Sequence, residues 1–174
     1  MKKMLLGFVA VALFMAASPA MAIFDSKFEA ETTKETEAVK LARDTQVAGY
    51  DLLTVAELKK MIDENKDMVI IDTMPYEDSY KKEHIPGAKQ FLFPIPDMKE
   101  WDAKETAGKS QEDYTALLGA DKNKPIIVYC GFVKCTRSHN GAVWAKKLGY
   151  TKVYRLPGGI FAWKGANLPI EEAK

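Results

Sequence analysis

From about residue 50 onward, short apolar segments alternate with segments in which apolar residues recur at helical spacing. The short segments are rich in β-branched residues and lie next to turn-forming residues, which is typical of buried strands. Strands that alternate with helices indicate an α/β fold, in which a mostly parallel sheet is covered by helices on both faces. The predicted strands are 52–53, 68–72, 89–93, 125–129 and 152–156, and the predicted helices are 54–64, 77–82, 111–118, 138–148 and 161–164.

The first 22 residues have the pattern of a secretory signal peptide. Lys2 and Lys3 precede an apolar run over residues 4–17, and Ala20-Met21-Ala22 is a small-x-small cleavage site. A membrane anchor fits less well, because the run is shorter than the roughly 18–20 residues that a span needs. We therefore expect an exported, periplasmic protein that has no stable membrane insertion after the signal peptide is removed.

The remaining chain is predicted to consist of a leader and one domain. Residues 23–47 are charged and polar with one weakly apolar stripe, which predicts a helical leader that either packs loosely on the domain or stays mobile. Residues 48–174 are long enough for a single α/β domain with its own core. The formal net charge of the chain is +1, and this balance gives no indication of nucleic acid binding.

The junction between the strand at 125–129 and the following helix carries the candidate chemistry. Cys130 ends the strand, and Cys135, the second of two cysteines, follows five residues later. A disulfide across so short a loop gains little chain entropy, which favours a chemical role for at least one cysteine. Free amides and the helix dipole favour a thiolate at Cys130. Cys130 is therefore the predicted nucleophile, which would take sulfur from thiosulfate or polysulfide as a persulfide.

The loop after Cys130 is predicted to bind the sulfur anion. Its backbone N–H groups would donate hydrogen bonds to the persulfide, and Lys134 would attract an anionic donor. Arg137 offers planar donors either for an oxyanion or for the carbonyls of the loop, and is predicted to be catalytic together with Cys130. The predicted substrate-binding residues are Gly131, Phe132, Val133, Lys134, Cys135 and Thr136.

Cys135 has two interpretations that the sequence leaves open. It either resolves a persulfide or sulfenate on Cys130 by forming a disulfide, or fills space in the loop. A metal site is not expected, because the Cys130, Cys135 and His139 spacing matches no common zinc pattern. No cofactor is expected either.

Four residues are predicted to support the site. Asp72, at a strand end, would hold the loop or cap the next turn. His84 is expected to stabilise a turn rather than to react. Ser138 begins the helix after the loop, and His139 would be neutral, either as a proton shuttle or as a half-exposed residue at the rim.

Four sequence pieces follow one another along the chain, which are Val69-Ile70-Ile71-Asp72, His84-Ile85-Pro86-Gly87-Ala88, Tyr129-Cys130 with Arg137-Ser138, and Gly158-Gly159-Ile160-Phe161-Ala162-Trp163. With these four pieces in this order, the chain resembles the rhodanese (thiosulfate sulfurtransferase) family over about residues 50–169. This resemblance implies a rhodanese-like fold with a five-stranded parallel sheet, a catalytic cysteine at Cys130 and a loop-closing arginine at Arg137.

Two positions depart from the pattern of that family. Met74 stands where rhodaneses usually have an arginine, so one charge near the site is missing. Arg137 follows Cys130 by seven residues instead of the usual five, which enlarges the loop. Related cysteine phosphatases and arsenate reductases with this fold also have an expanded loop, by one residue.

The resemblance implies a sulfurtransferase that moves sulfane sulfur from thiosulfate or polysulfide to a thiol acceptor or partner protein. One alternative is a thiol–disulfide or arsenate-type oxyanion reductase that uses Cys130 and Cys135. Another is a sulfur carrier without turnover of its own. A phosphatase fits less well, because the loop has no acidic residue to serve as general acid.

Overall fold

Five short parallel strands form the centre of the protein, which is described by a computed structural model over residues 19–173. The strands are β1 (Asp51–Leu52), β2 (Val69–Asp72), β3 (Lys89–Gln90), β4 (Ile126–Tyr129) and β5 (Val153–Leu156). The helices are α1 (Pro19–Ala48), α2 (Val55–Asp63), α3 (Gln111–Leu118), α4 (Arg137–Lys147) and α5 (Gly159–Gly165), and a single π-helical turn spans Tyr76–Tyr80. The strand order is β1-β5-β4-β2-β3, and every neighbouring pair is parallel.

Helices cover both faces of this sheet. Alternate residues of β4 point to opposite sides, as the period of a strand requires. Ile126 and Val128 pack in one apolar cluster with residues of α3 and α4, whereas Ile127 and Tyr129 pack in the other with residues of α2 and α5. This arrangement confirms the predicted α/β class, the parallel sheet and the helices on both faces.

Capping side chains fix the starts of two helices. The Thr54 hydroxyl accepts a hydrogen bond from the backbone N–H of Glu57, and the Glu57 carboxylate accepts one from the N–H of Thr54. Ser110 and Asp113 make the same reciprocal pair before α3. Both caps satisfy N–H groups that a helix start leaves free.

Two predicted elements are shorter or of another type. The strand predicted at 89–93 ends at Gln90, and the chain then directs Phe91 and Phe93 into the core, where both rings contact Tyr114. The helix predicted at 77–82 is instead the π-helical turn, in which the N–H of Tyr80 donates to the carbonyl of Pro75, five residues earlier.

The chain divides between Thr36 and Glu37 into two compact units. Residues 1–18 of the expected signal peptide lie outside the described residues. Helix α1 includes residues 23–47, for which a helical leader is predicted, and from Glu37 onward it belongs to the same unit as the sheet. No helix within residues 19–173 is both long enough and apolar enough to cross a bilayer.

The start of α5 packs directly on the backbone of Cys130. The N–H groups of Ile160 and Phe161 donate to the carbonyls of Cys130 and Gly131, at 2.9 and 3.0 Å. Gly159 has a φ of +54°, and a Cβ atom at this position would overlap the Cys130 carbonyl oxygen. The close approach therefore requires glycine at this position.

We expect Gly159→Ala to destabilise the protein by about 2–4 kcal/mol, because both the backbone angle and the missing space oppose a side chain. Gly165→Ala is the matched control, since a Cβ there meets no atom within 4 Å. Urea denaturation of the two variants measures the difference. Equal free energies of unfolding in the two variants would contradict the proposed close approach.

Candidate active site

Cys130 lies where β4 ends and the loop to α4 begins, at the carboxyl edge of the parallel sheet. This edge is where α/β folds place their sites. The side chain is fully buried, and its Sγ atom lies 3.3 Å from the hydroxyl oxygen of Ser138 in the first turn of α4. The structure thus brings the predicted nucleophile and one predicted supporting residue together.

Cys130 and Cys135 are joined in a disulfide. Their Cα atoms are 6.4 Å apart, which is within the range that a disulfide spans. Cys135 is only half-buried, whereas Cys130 has no exposed surface. Cys135 is therefore a disulfide partner of Cys130, as one of its two interpretations requires, rather than a residue that only fills space in the loop.

The polar groups near the Cys130 sulfur differ from the prediction. The amides of residues 131–136 were expected to face it, but the backbone atoms found near it are carbonyl oxygens. The Cys135 oxygen lies 3.3 Å from Sγ and the Phe132 oxygen 4.0 Å away. The predicted amide cradle is therefore wrong for this disulfide-bonded form of the loop.

The buried guanidinium of Arg155 accounts for this orientation. Arg155 lies in β5 and is 2% exposed. Its Nη2 donates to the carbonyls of Val133 and Cys135, at 3.1 and 2.9 Å, and its Nε donates to the Ser138 hydroxyl at 2.9 Å. A cation below the loop draws carbonyl oxygens inward, which turns the amides away.

Arg155 is not among the predicted site residues, although its place in a predicted strand indicates that it is special. The segment Val153-Tyr154-Arg155-Leu156 was predicted to be a strand of a parallel sheet, and such strands are buried on both faces. A charged residue in a buried strand needs partners that neutralise it. The charge at position 155 was therefore a candidate for the site.

Asp44 of α1 supplies the nearest negative charge. Its Oδ2 atom lies 3.8 Å from Nη1 of Arg155 and 3.9 Å from Nδ1 of His139. The Tyr50 hydroxyl is 2.8 Å from the same His139 nitrogen. Burial is the main cause of a lowered His139 pKa, with Asp44 opposing the shift and Arg155 adding to it. This direction agrees with the expected neutral imidazole, which contacts Tyr50 and Asp44.

Arg137 fastens the far end of the loop to the segment after β3. Its Nη1 donates to the carbonyl of Phe93, and the adjacent Thr136 hydroxyl donates to the carbonyl of Ile95. Desolvation lowers the pKa of Arg137, with a partly opposing effect of Glu105. The loop carbonyls predicted as alternative partners of Arg137 are bound by Arg155 instead.

The middle of the loop is open to solvent and carries one cation. Phe132, Val133 and Lys134 are exposed, and the Lys134 ammonium lies 3.1 Å from the carboxylate of Glu37 in α1. A small cavity of about 70 Å³ lies between α1 and the loop, with Arg155 in its wall. Gly131 is buried, with Met74 next to it.

Asp72 caps the turn that follows β2, which is one of the two predicted roles. Its Oδ1 accepts the N–H of Met74 at 2.8 Å, and its Oδ2 has no hydrogen bond within the described part of the chain. Burial raises the pKa of Asp72 to about 6, while the Met74 amide, the Tyr129 hydroxyl and then the charge of His84 partly oppose the shift.

The expectation of a structural role for His84 agrees with its contacts. The buried ring stacks on Tyr80 at 4.0 Å between centroids, and its Nδ1 lies 2.9 Å from the Tyr80 carbonyl. Its Nε2 lies 3.7 Å from the carboxylate of Glu171. Within residues 19–173, no group of three or more His, Cys, Asp or Glu side chains is arranged to hold a metal ion.

Comparison with known proteins points to one family. The Rhodanese-like domain model matches residues 54–166. The thiosulfate sulfurtransferase GlpE of Coxiella burnetii is 32% identical over 108 residues, which are 62% of this chain and 81% of that protein. An HTH-type transcriptional regulator of Mycobacterium tuberculosis, Rv0324, is 29% identical over 131 residues, 75% of this chain, and the chain spans 49% of its length.

Solved structures show the same fold. The BH2092 protein of Bacillus halodurans superimposes with a TM-score of 0.51 over 78% of this chain and 86% of that one. The two sequences are 23% identical, so this likeness concerns the fold alone.

We expect Arg155→Met to lower the free energy of unfolding by about 2–4 kcal/mol, because two carbonyls and a hydroxyl lose a charged, buried donor. Arg43→Met is the control, since Arg43 is exposed on α1. Denaturant titration of both variants measures the effect. A loss no greater than that of Arg43→Met would show that the guanidinium does not hold the loop.

The pKa of Asp72 predicts a pH dependence of stability. Because its pKa rises from the ordinary 3.8 to about 6 in the folded protein, the folded state keeps a proton that the unfolded chain has lost. The contribution of this group to stability therefore falls as pH rises from about 4 to about 6.

Asp72→Asn removes the charge and keeps an oxygen for the Met74 amide. At about pH 7 we expect it to raise the free energy of unfolding by up to about 3 kcal/mol, a gain that shrinks below about pH 4. Denaturant titrations at both pH values test this, with the exposed Asp78→Asn as control. A gain that is larger at the lower pH would contradict the raised pKa.

Proposed function

The chain belongs to the rhodanese-like domain family, and on this premise we propose that it is a sulfurtransferase that carries sulfane sulfur as a persulfide on Cys130. The observation that supports the proposal is the position of Cys130. Its sulfur lies at the carboxyl edge of the sheet, next to the first turn of α4 and within 3.3 Å of the Ser138 hydroxyl. The start of α4 favours an anionic sulfur, both as thiolate and as persulfide, and the carbonyl oxygens of Phe132 and Cys135 oppose this effect in the disulfide-bonded form.

The proposed reaction with thiosulfate has two reactants and no cofactor. The Cys130 thiolate attacks the outer sulfur of thiosulfate, a new S–S bond forms, and the old S–S bond breaks. Sulfite leaves with the electron pair of the broken bond. The persulfide anion on Cys130 then passes its outer sulfur to a thiol of a small molecule or partner protein.

Charge near the loop supports an anionic donor, either thiosulfate or polysulfide. Lys134 is exposed at the loop, and the guanidinium of Arg155 lies directly below it. Glu37 and Asp44 offset part of this positive charge. The pattern of residues 1–22 supports export to the periplasm as the place where the protein acts.

Thiol–disulfide chemistry is the second candidate, and the disulfide between Cys130 and Cys135 favours it. Both candidates need the sulfur of Cys130 in its reduced form. The oxidised form is inactive in sulfur transfer, because its nucleophile is already bonded.

The proposal is tested with reduced protein freed of reductant. We expect the wild type to release sulfite from thiosulfate, or to take sulfur from inorganic polysulfide, and Cys130→Ser to do neither above the protein-free background. Sulfite analysis and intact-protein mass spectrometry are the measurements.

The oxidised wild type is the matched control, and it should be as inert as the serine variant. Two results would refute the proposal. One is a reduced wild type that reacts with neither donor, and the other is a Cys130→Ser variant that reacts as the wild type does.

A further inference from the structure

We propose that Cys135 is the internal acceptor that ends the persulfide stage on Cys130. In this step Cys135 attacks the inner sulfur of the persulfide, the outer sulfur leaves as hydrosulfide, and the disulfide of the structure is the product. The inference rests on the proposed function, because it requires a persulfide on Cys130. It assigns the protein the reduction of sulfane sulfur to hydrosulfide, at the expense of two thiol groups.

The step balances in atoms, charge and electrons. One S–S bond forms between the two cysteine sulfurs, and the bond between the Cys130 sulfur and the outer sulfur breaks. The outer sulfur keeps the electron pair and takes the proton of the Cys135 thiol, so it leaves as hydrosulfide. Cys135 is oxidised, and the sulfane sulfur is reduced.

The loop places Cys135 for this attack. The two Sγ atoms reach bonding contact, with Cα atoms 6.4 Å apart. The N–H of Cys135 donates to the carbonyl of Phe132 at 3.0 Å, and its own carbonyl accepts from Arg155 at 2.9 Å. Because the backbone of Cys135 is held on both sides, its sulfur meets the inner sulfur of the persulfide, the atom that the attack needs.

A structural role explains the pair poorly. The disulfide joins cysteines that are five positions apart, and constraint of so short a loop stabilises a fold less than constraint of a longer one. The bond also occupies the sulfur that the family uses as nucleophile. A disulfide that closes a short loop and blocks the nucleophile is better explained as a stage of a reaction cycle.

The difference in burial between the two cysteines determines how the disulfide is reduced again. A dithiol reductant, either a small molecule or a protein, supplies the two electrons and is itself oxidised to a disulfide. Cys130 has no exposed surface, whereas Cys135 is half-buried. The reductant therefore attacks the Cys135 sulfur, and Cys130 leaves as a thiolate, which the adjacent helix start stabilises.

The test compares reduced wild type with Cys135→Ser and Cys135→Ala in oxygen-free buffer with thiosulfate and no added thiol. For the wild type we expect equal amounts of sulfite and hydrosulfide and a protein mass that corresponds to the disulfide. For both variants we expect sulfite, loss of hydrosulfide release, and a protein that keeps the mass of one additional sulfur atom. Wild type without thiosulfate should stay reduced.

The outcomes separate the two proposals. Sulfite release with a lasting persulfide and no hydrosulfide from the wild type would overturn the internal acceptor and leave the sulfurtransferase standing. Hydrosulfide release by both variants at the wild-type level would do the same. Absence of sulfite from all three proteins would refute the Cys130 persulfide with thiosulfate, and with it this inference.

A second measurement tests the restoring step. Oxidised wild type is treated briefly with a monothiol such as glutathione, and the mixed disulfide is located by peptide mapping. We expect glutathione on Cys135. Its presence on Cys130 would overturn the assigned order of attack.

Discussion

The buried positive charge of Arg155 is the constraint on which the site depends. A guanidinium that is 2% exposed must find partners inside the protein. It finds them in α1 through Asp44, in α4 through Ser138, and in the loop through two carbonyl oxygens. One side chain of β5 thereby fixes three separate parts of the chain around the sulfur of Cys130. Because Arg155 binds the carbonyls of Val133 and Cys135, it also holds Cys135 next to Cys130.

The fold was accessible from the sequence because its signals are local and repeated. All five predicted strands and four of the five predicted helices from position 50 onward are present in the structure. The caps at Thr54 and Ser110 could be predicted because each pairs with an acidic residue three positions later. The π-helical turn at Tyr76–Tyr80 and the early end of β3 at Gln90 could not. Both depend on how the chain packs against the finished sheet, which no short window of sequence contains.

The site was predictable in its residues and less so in its contacts. Cys130 and Ser138 meet as expected, because a strand end and a helix start fix them. The partner of Arg137 is a carbonyl 44 residues away in sequence, and no spacing rule predicts such a pair. The predicted orientation of the loop amides was wrong, because the orientation depends on Arg155, which lies in β5 and is distant from the loop in sequence.

The disulfide between Cys130 and Cys135 affects how the Cys130 sulfur responds to oxidants. A solvent-accessible thiolate is oxidised by peroxide to sulfenic acid and then irreversibly to sulfinic acid. In the paired form the Cys130 sulfur is bonded, fully covered and unable to follow that route. Under the proposed function, the disulfide is a protected form of the site, and exchange with one dithiol returns it to the reduced form. A cysteine nucleophile without a partner cysteine would lack this protection from irreversible oxidation.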